Sequence, residues 1–340
     1  MSGGAICANY GAGSGGLQVA NCEFNENATS SEGGAISILT GQHPQLSIHI
    51  DSCKFMNGYS YHSSSGLSMV NYCPNLDFRL SNSLFYKNKS VFNSGAIYIT
   101  SGGKRPVIEN CVFQENQTEL DITSPGIGGA ILGSGYRLVN CSFIGNKARI
   151  GAVAVVGNVE FVGCLFANNS AVLEAGVLRN SSSCKLINCT FLNNYAGEKG
   201  GVIRSFLTSL SDTIVNCIFI NNKSGQSGDN IYPNALTKIY MSHCMVDVSD
   251  CSTLEMATNP PVDFLTCGPG MLFNVYPRFR DTASGDYRLD ACSPLIDQGD
   301  GAWALRFGLS ADLEGSSRLQ NTNIDIGAYE TPKLLAEATT

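Results

Sequence analysis

The sequence predicts an all-β chain wound as a right-handed parallel β-helix of about nine coils, and three observations carry that prediction. A phrase close to NCxF recurs with its cysteine position at Cys22, Cys53, Ser83, Cys111, Cys141, Cys164, Cys189, Cys217 and Cys244, in steps of 23 to 31 residues. A glycine opening a short apolar run recurs once per unit, at Gly4, Gly34, Gly66, Gly95, Gly129, Gly151, Gly176, Gly201 and Gly228. The 3.6-residue period of a helical repeat is sustained nowhere, so each unit must be built from short strands.

Spacing inside the unit gives its elements in order. An apolar residue stands three places before each cysteine position, from Val19 and Ile50 to Ile214 and Met241. Phenylalanine stands two places after it, at Phe24, Phe55, Phe85, Phe113, Phe143, Phe166, Phe191 and Phe219. Cysteine and phenylalanine share one strand face, whereas the earlier apolar residue is out of phase by one. One non-extended residue between them restores the inward direction. Asn21, Asn82, Asn110, Asn140, Asn188 and Asn216 occupy that place, and asparagine tolerates a left-handed bend better than other non-glycine residues. Each unit therefore reads as strand, asparagine corner, strand, polar turn and Gly-Ala-Ile strand, three strands to a coil. Coils stacked at roughly 4.8 Å make a rod of about 43 Å, with thiols, rings and small residues in separate interior columns.

Composition narrows the function. The chain has 340 residues, 14% of them charged, and a net charge of -7. This argues against a duplex nucleic-acid binder, which needs a basic stripe, and we expect no nucleic-acid partner. No apolar run approaches the roughly 18 residues of a membrane-spanning helix, and the first residues lack the basic and apolar regions of a secretory signal.

GGAI at 3 to 6, 33 to 36 and 128 to 131, with FNEN at 24 to 27, FYKN at 85 to 88, FQEN at 113 to 116, FIGN at 143 to 146, FANN at 166 to 169, FLNN at 191 to 194 and FINN at 219 to 222, resembles the repeats of polymorphic outer membrane proteins. The resemblance covers residues 1 to about 247. It implies a bacterial surface or secreted β-helix of the adhesin kind, extracellular or associated with the outer membrane. Because Met1 falls immediately before GGAI, we expect an amino-terminal truncation. From about 271 to 330, YPRFRD, GDYRLDACSPLIDQGD, DLEGSSR and DIGAYE are similar to the terminal segment of choice-of-anchor β-helix proteins. The domains expected are a β-helix over 1–247, a cap covering the open final coil over 248–335, and a tail over 336–340.

Of the 14 cysteines, eight fall in the interior column and read as small buried hydrophobes. In-register neighbours have nearly parallel Cβ vectors, which suits a disulfide poorly. Cys251, Cys267 and Cys292 lie off the column, and a bridge among them is open. No Cys-x-x-Cys pair or histidine partner accompanies the thiols, so no metal is expected. The four histidines are scattered. Asp51, Asp77, Glu109, Asp121, Glu160 and Glu174 sit at different phases of their units, against the stacked carboxylates of a polysaccharide lyase or hydrolase. A pectate-lyase-like enzyme with acids in loops stays as the alternative, and Ca²⁺ is implied only there; a structural spacer is a third reading. No other cofactor is expected.

The glycine-to-cysteine connections are longest in the first four units, and insertions gathered on one face of a repeat array often form its binding surface. That face would present Tyr10, His43, Tyr72, Asn75, Lys104 and Arg105, a mixture suited to sugar or protein contact. The expected function is a non-catalytic adhesion or binding module, monomeric in build, for surface glycans or a cell-surface protein.

Overall fold

The computed structural model describes residues 4–11, 15–42, 45–100, 103–121, 124–205, 211–234, 237–255, 264–320 and 322–332. Each repeat closes one coil of a parallel β-solenoid with four walls. Wall 1 begins with Ile6–Tyr10 and has nine strands; wall 2 begins with Gly16–Ala20 and has ten. Wall 3 begins with Glu23–Asn25 and has ten; wall 4 begins with Ala28–Thr29 and has eight. The expectation of three strands per coil is thus corrected to four. Wall 4 consists mostly of two-residue strands such as Lys89–Ser90, which pair with the coils on both sides. Such brevity leaves no alternation to read, so the polar stretch after FxxN looks like a turn.

Two left-handed bends shape every typical coil. The asparagines before the cysteine position, Asn21, Asn82, Asn110, Asn140, Asn188 and Asn216, have φ of 49 to 56°. A second bend, between walls 3 and 4, uses Asn57, Lys87, Glu115, Asn168, Asn193 and Asn221 at φ of 53 to 58°.

Between these bends the interior columns form. Rings from Phe24 through Phe219 stack face to face at 4.5 to 5.1 Å, with neighbouring planes 4 to 16° apart. Removing each ring from water contributes on the order of 1.5 to 3 kcal/mol. Cys53, Cys111, Cys141, Cys164, Cys189, Cys217 and Cys244 are buried as expected, but Cys22, in the first coil, is exposed because its rung is stacked on one side only among the described residues. The thiols also make bonds: Cys111 Sγ donates to the carbonyls of Glu109 and Leu80 at 3.2 and 3.8 Å. Ser83 donates to Ser81 in the same way at 2.7 Å, which explains why serine replaces cysteine there without breaking the column.

Parallel pairing continues beyond residue 247. Leu265–Cys267 adds a tenth strand to wall 2 and Leu272–Phe273 a tenth to wall 3. A short helix, α1 (Cys251–Glu255), places Leu254 in the core, and the Cys251–Cys267 disulfide ties it to the last strand of wall 2. These pieces close the carboxy-terminal end of the core.

Residues 275–332 do something other than the covering of the final coil that the sequence led us to expect. They fold back along the outside of walls 2 and 3 as a strap, with a hairpin of Phe279–Asp281 and Asp286–Leu289 and a helix, α2 (Gly301–Arg306). Phe307, Leu309 and Ile324 pack on Val162, Ile187 and Val215, which point outward from wall 2. Tyr287, Leu295 and Ile326 pack on Leu165, Leu192 and Ile218 of wall 3. Corner residues hold the strap's backbone: Asn140 Nδ2 donates to Ala311 O at 3.2 Å, Asn188 Nδ2 to Asp325 O at 3.2 Å and Asn216 Nδ2 to Asp300 O at 3.0 Å. At the one intervening corner stands Gly163, with φ of 67°, where a Cβ would lie 3.0 Å from Leu309 Cδ1 and 2.2 Å from Asn140 Oδ1. The expected tail at 336–340 lies outside the described residues.

Candidate functional site

The long connections between walls 1 and 2 form an edge of the solenoid. In the third coil, a buried polar cluster fixes their shape. Thr40 Oγ1 donates to Asn71 Oδ1 at 2.7 Å, and Asn71 Oδ1 also accepts from the Cys73 amide at 2.8 Å. The Tyr72 amide donates to Thr40 Oγ1 at 2.9 Å. With its backbone held and both sequence neighbours buried, the Tyr72 side chain points out and keeps 61% exposure. The connection of the fourth coil lies directly against that of the third. Gly103 sits so close to Pro74 that a Cβ would meet Pro74 O at 2.3 Å, and the Lys104 amide donates to Pro74 O at 3.3 Å. Tyr72, Asn75 and Lys104 are therefore exposed side chains of two touching loops on a rigid support.

The remaining expected site residues are placed differently. Tyr10 is a correction: it follows Ile6 and Ala8 in strict alternation, is the register partner of inward-facing Thr40, and packs on the end of the core. Burial pushes its phenol above the ordinary range. Arg105 keeps a third of its side-chain exposure but is ion-paired. Its guanidinium reaches along the axis to Glu160 at 2.6 Å and Asn158 at 3.2 Å, and Lys185 Nζ meets the same Glu160 oxygen at 3.2 Å. Burial alone would raise the Glu160 carboxyl, but bonds from Arg105 and Lys185 hold it below the ordinary range. Arg105 thus braces the outside of the solenoid. His43 lies outside the described residues.

Carboxylates are dispersed in the same structural way. Asp51 accepts from Ser81 at 2.6 Å and Asn82 at 2.8 Å, which holds it low. Asp212 points into the solenoid, accepting from Asn180 at 2.9 Å and the Cys184 amide at 2.8 Å; burial pushes it up to about 6. No group of three or more potential metal ligands occurs among the described residues.

A second cluster escaped the sequence reading. On the outer face of wall 1, Arg179, Arg204 and Tyr232 are register partners in consecutive coils, flanked by Glu174 and Lys199. Their signal was available in VLRN, VIRS and NIYP, where the residue after the inward leucine or isoleucine is charged or aromatic three times running.

Residues 3–191 match the family described as right handed beta helix region, and residues 188–205 match the Chlamydia polymorphic membrane protein repeat. The second match spans NCTFLNN of one coil and the GGVI that opens the next. No curated protein and no solved structure matches the chain. No helix among the described residues is long and apolar enough to cross a membrane.

Proposed function

The chain belongs to the right-handed β-helix family, and on that premise we propose that it is a non-catalytic binding module displayed at a cell surface, holding glycans on the loop edge of Tyr72, Asn75 and Lys104. The surface location is supported by the polymorphic membrane protein repeat. The observation that carries the binding reading is where the repeat motifs go. Their phenylalanines and most of their asparagines are buried, so recognition falls to side chains that the coils leave outside. Among those, Tyr72 is a large exposed ring on a braced backbone, in the pair of touching loops that also carries the exposed Asn75 and Lys104. A ring of this kind covers the apolar face of a sugar while the polar neighbours bond to its hydroxyls.

A glycan array tests this directly. Tyr72→Ala and Lys104→Ala should each remove most of the signal without altering the circular dichroism spectrum; an unchanged array would overturn the placement. The non-catalytic part is tested by incubating the protein with polysaccharides, with and without calcium. Release of unsaturated products or new reducing ends would overturn it.

A further inference from the structure

The strap carries a pocket of its own. Leu305 of α2, Leu309 behind it, residues 317–319 and Ile324 enclose about 250 Å³, and the lining is mostly apolar. The space exists because Gly301 and Ala304, which also line it, contribute no more than a methyl group. Backbone bonds hold the walls in place. The Leu309 amide donates to Ala304 O at 2.9 Å, the Arg318 amide to Ser310 O at 3.0 Å and the Gly299 amide to Ile324 O at 2.9 Å. The pocket is thus formed before any ligand arrives. Leu305 and Leu319 line it yet keep 78% and 62% exposure, the highest of any large aliphatic side chain among the described residues.

One member of the lining is buried and charged. Arg318 keeps 2% exposure. Its Nε stands 3.5 Å from Glu330 Oε2 and its Nη2 donates to Asp325 O at 2.8 Å, while Nη1 is buried with no hydrogen-bond partner among the described residues. A buried donor left unmade is costly, so a ligand that brings an acceptor gains more than its apolar contacts alone supply. That acceptor should be neutral. The carboxyl groups of Glu330, Asp325 and Asp312 already act on the guanidinium, so a further anion meets like charge, and a cation meets Arg318 itself.

We propose that this pocket binds a small neutral amphiphile, a short hydrocarbon chain ending in a carbonyl group, with the chain against Leu305, Leu309, Leu319 and Ile324 and the carbonyl oxygen accepting from Arg318 Nη1. An apolar cavity of about 150 Å³ holds benzene, so the larger volume here takes roughly seven to ten non-hydrogen atoms. Such a ligand also covers the two leucines that the fold leaves in water. The pocket lies on the strap, and this inference is independent of the glycan reading of the loop edge.

The test is calorimetric titration of the full chain with methyl pentyl ketone, using hexanoate, hexylammonium and hexyl chloride as probes of nearly the same size. The ketone should bind about tenfold more tightly than hexyl chloride, the difference that one hydrogen bond from a charged donor makes, and more tightly than either ion. Ser317→Leu, at an exposed position in the lining, fills the space and should weaken ketone binding by about tenfold while the melting temperature holds. Leu305→Gln, also exposed, should weaken it several-fold. Equal binding of ketone and hexyl chloride would overturn the proposal in favour of an apolar cavity without the Arg318 bond. Tighter binding of hexanoate would overturn it in favour of an anion site. So would a folded Ser317→Leu protein that binds the ketone undiminished, or the absence of saturable ketone binding to the unmodified chain.

Discussion

The side-chain amide of Asn116 donates to Oδ1 of Asn146, one coil further on, at 3.1 Å, and the same oxygen accepts the Asn116 backbone amide at 3.0 Å. The pattern repeats through Asn88, Asn116, Asn146, Asn169, Asn194 and Asn222. Each amide also donates to the phenylalanine carbonyl of the preceding coil, as Asn146 does to Phe113 at 2.9 Å. One asparagine thereby satisfies backbone groups on its neighbours where the bend between walls 3 and 4 breaks the ladder. Asn146→Ala leaves several buried partners unmade and should lower stability by about 3 kcal/mol or more. Asn110→Gly, at an outer bend with φ of 53°, should change it by under about 1 kcal/mol. Urea midpoints of the two variants check the contrast, and equal losses would refute it.

Thiol chemistry should follow the columns. Cys7, Cys22 and Cys292 are exposed, nine other free cysteines are buried, and Cys251 and Cys267 are bridged. Burial pushes the thiols of Cys141, Cys189 and Cys217 well up, so little reactive thiolate forms. Titration with a thiol reagent should find three fast groups in the native protein, 12 after unfolding and 14 after unfolding with reduction. Fast labelling of the interior column would contradict the packing described.

The strap should loosen as pH rises. Arg318 is buried with Nε 3.5 Å from Glu330 Oε2, and its NH2 group donates to Asp325 O at 2.8 Å. Burial outweighs the pull of Arg318, pushing Glu330 up to about 8 and Asp325 up to about 6. An acid whose folded pKa exceeds its unfolded value of about 4 stabilises the fold while protonated, and that contribution is lost as pH climbs through the folded value. Asp212 acts in the same sense up to about 6. Carboxyls held low, such as Asp51 and Asp286, act oppositely, but only below about pH 4. Tm should therefore fall between pH 5 and pH 8.5, roughly the window these pKa values bracket. Emission of Trp303, the sole tryptophan, should report strap release over the same range, and Glu330→Gln should flatten the upper part. A Tm that rises across the window would sink the assignment.

The solenoid was legible because its period is written in residues that only a stacked interior requires. A phenylalanine two places beyond a thiol, after an asparagine that can bend left-handed, leaves little else to build. The strap was harder to see, although its docking surface was spelled out. FVGCLFA, LINCTFL and IVNCIFI at 161–167, 186–192 and 214–220 are apolar on both faces, whereas CEFN and CKFM of the first coils alternate. A strand apolar on both sides is covered on both sides. What covers it depends on contacts more than 100 residues apart, such as Asn188 with Asp325, and no local period records those. At the candidate site, alternation already assigned Tyr10 inward, but the partner of Arg105 lies two coils away and is set by how far a side chain reaches along the axis.

Strap and solenoid should be separable by one substitution on the outside of wall 2. Ile187 is fully buried only because Val162, Val215 and strap residues including Phe307 and Ile324 enclose it; its own strand neighbour Leu186 faces the interior. Ile187→Lys puts a charge under the strap and leaves the columns of rings, thiols and asparagines untouched. Burying an unpaired ammonium costs several kcal/mol, more than the strap can lose and stay seated. The expected result is a red shift and loss of intensity for Trp303, with rapid proteolysis confined to about 275–332, while the far-ultraviolet β signal and the protection of the nine buried thiols persist. Simultaneous loss of thiol protection would mean that the strap and the coils unfold as one unit.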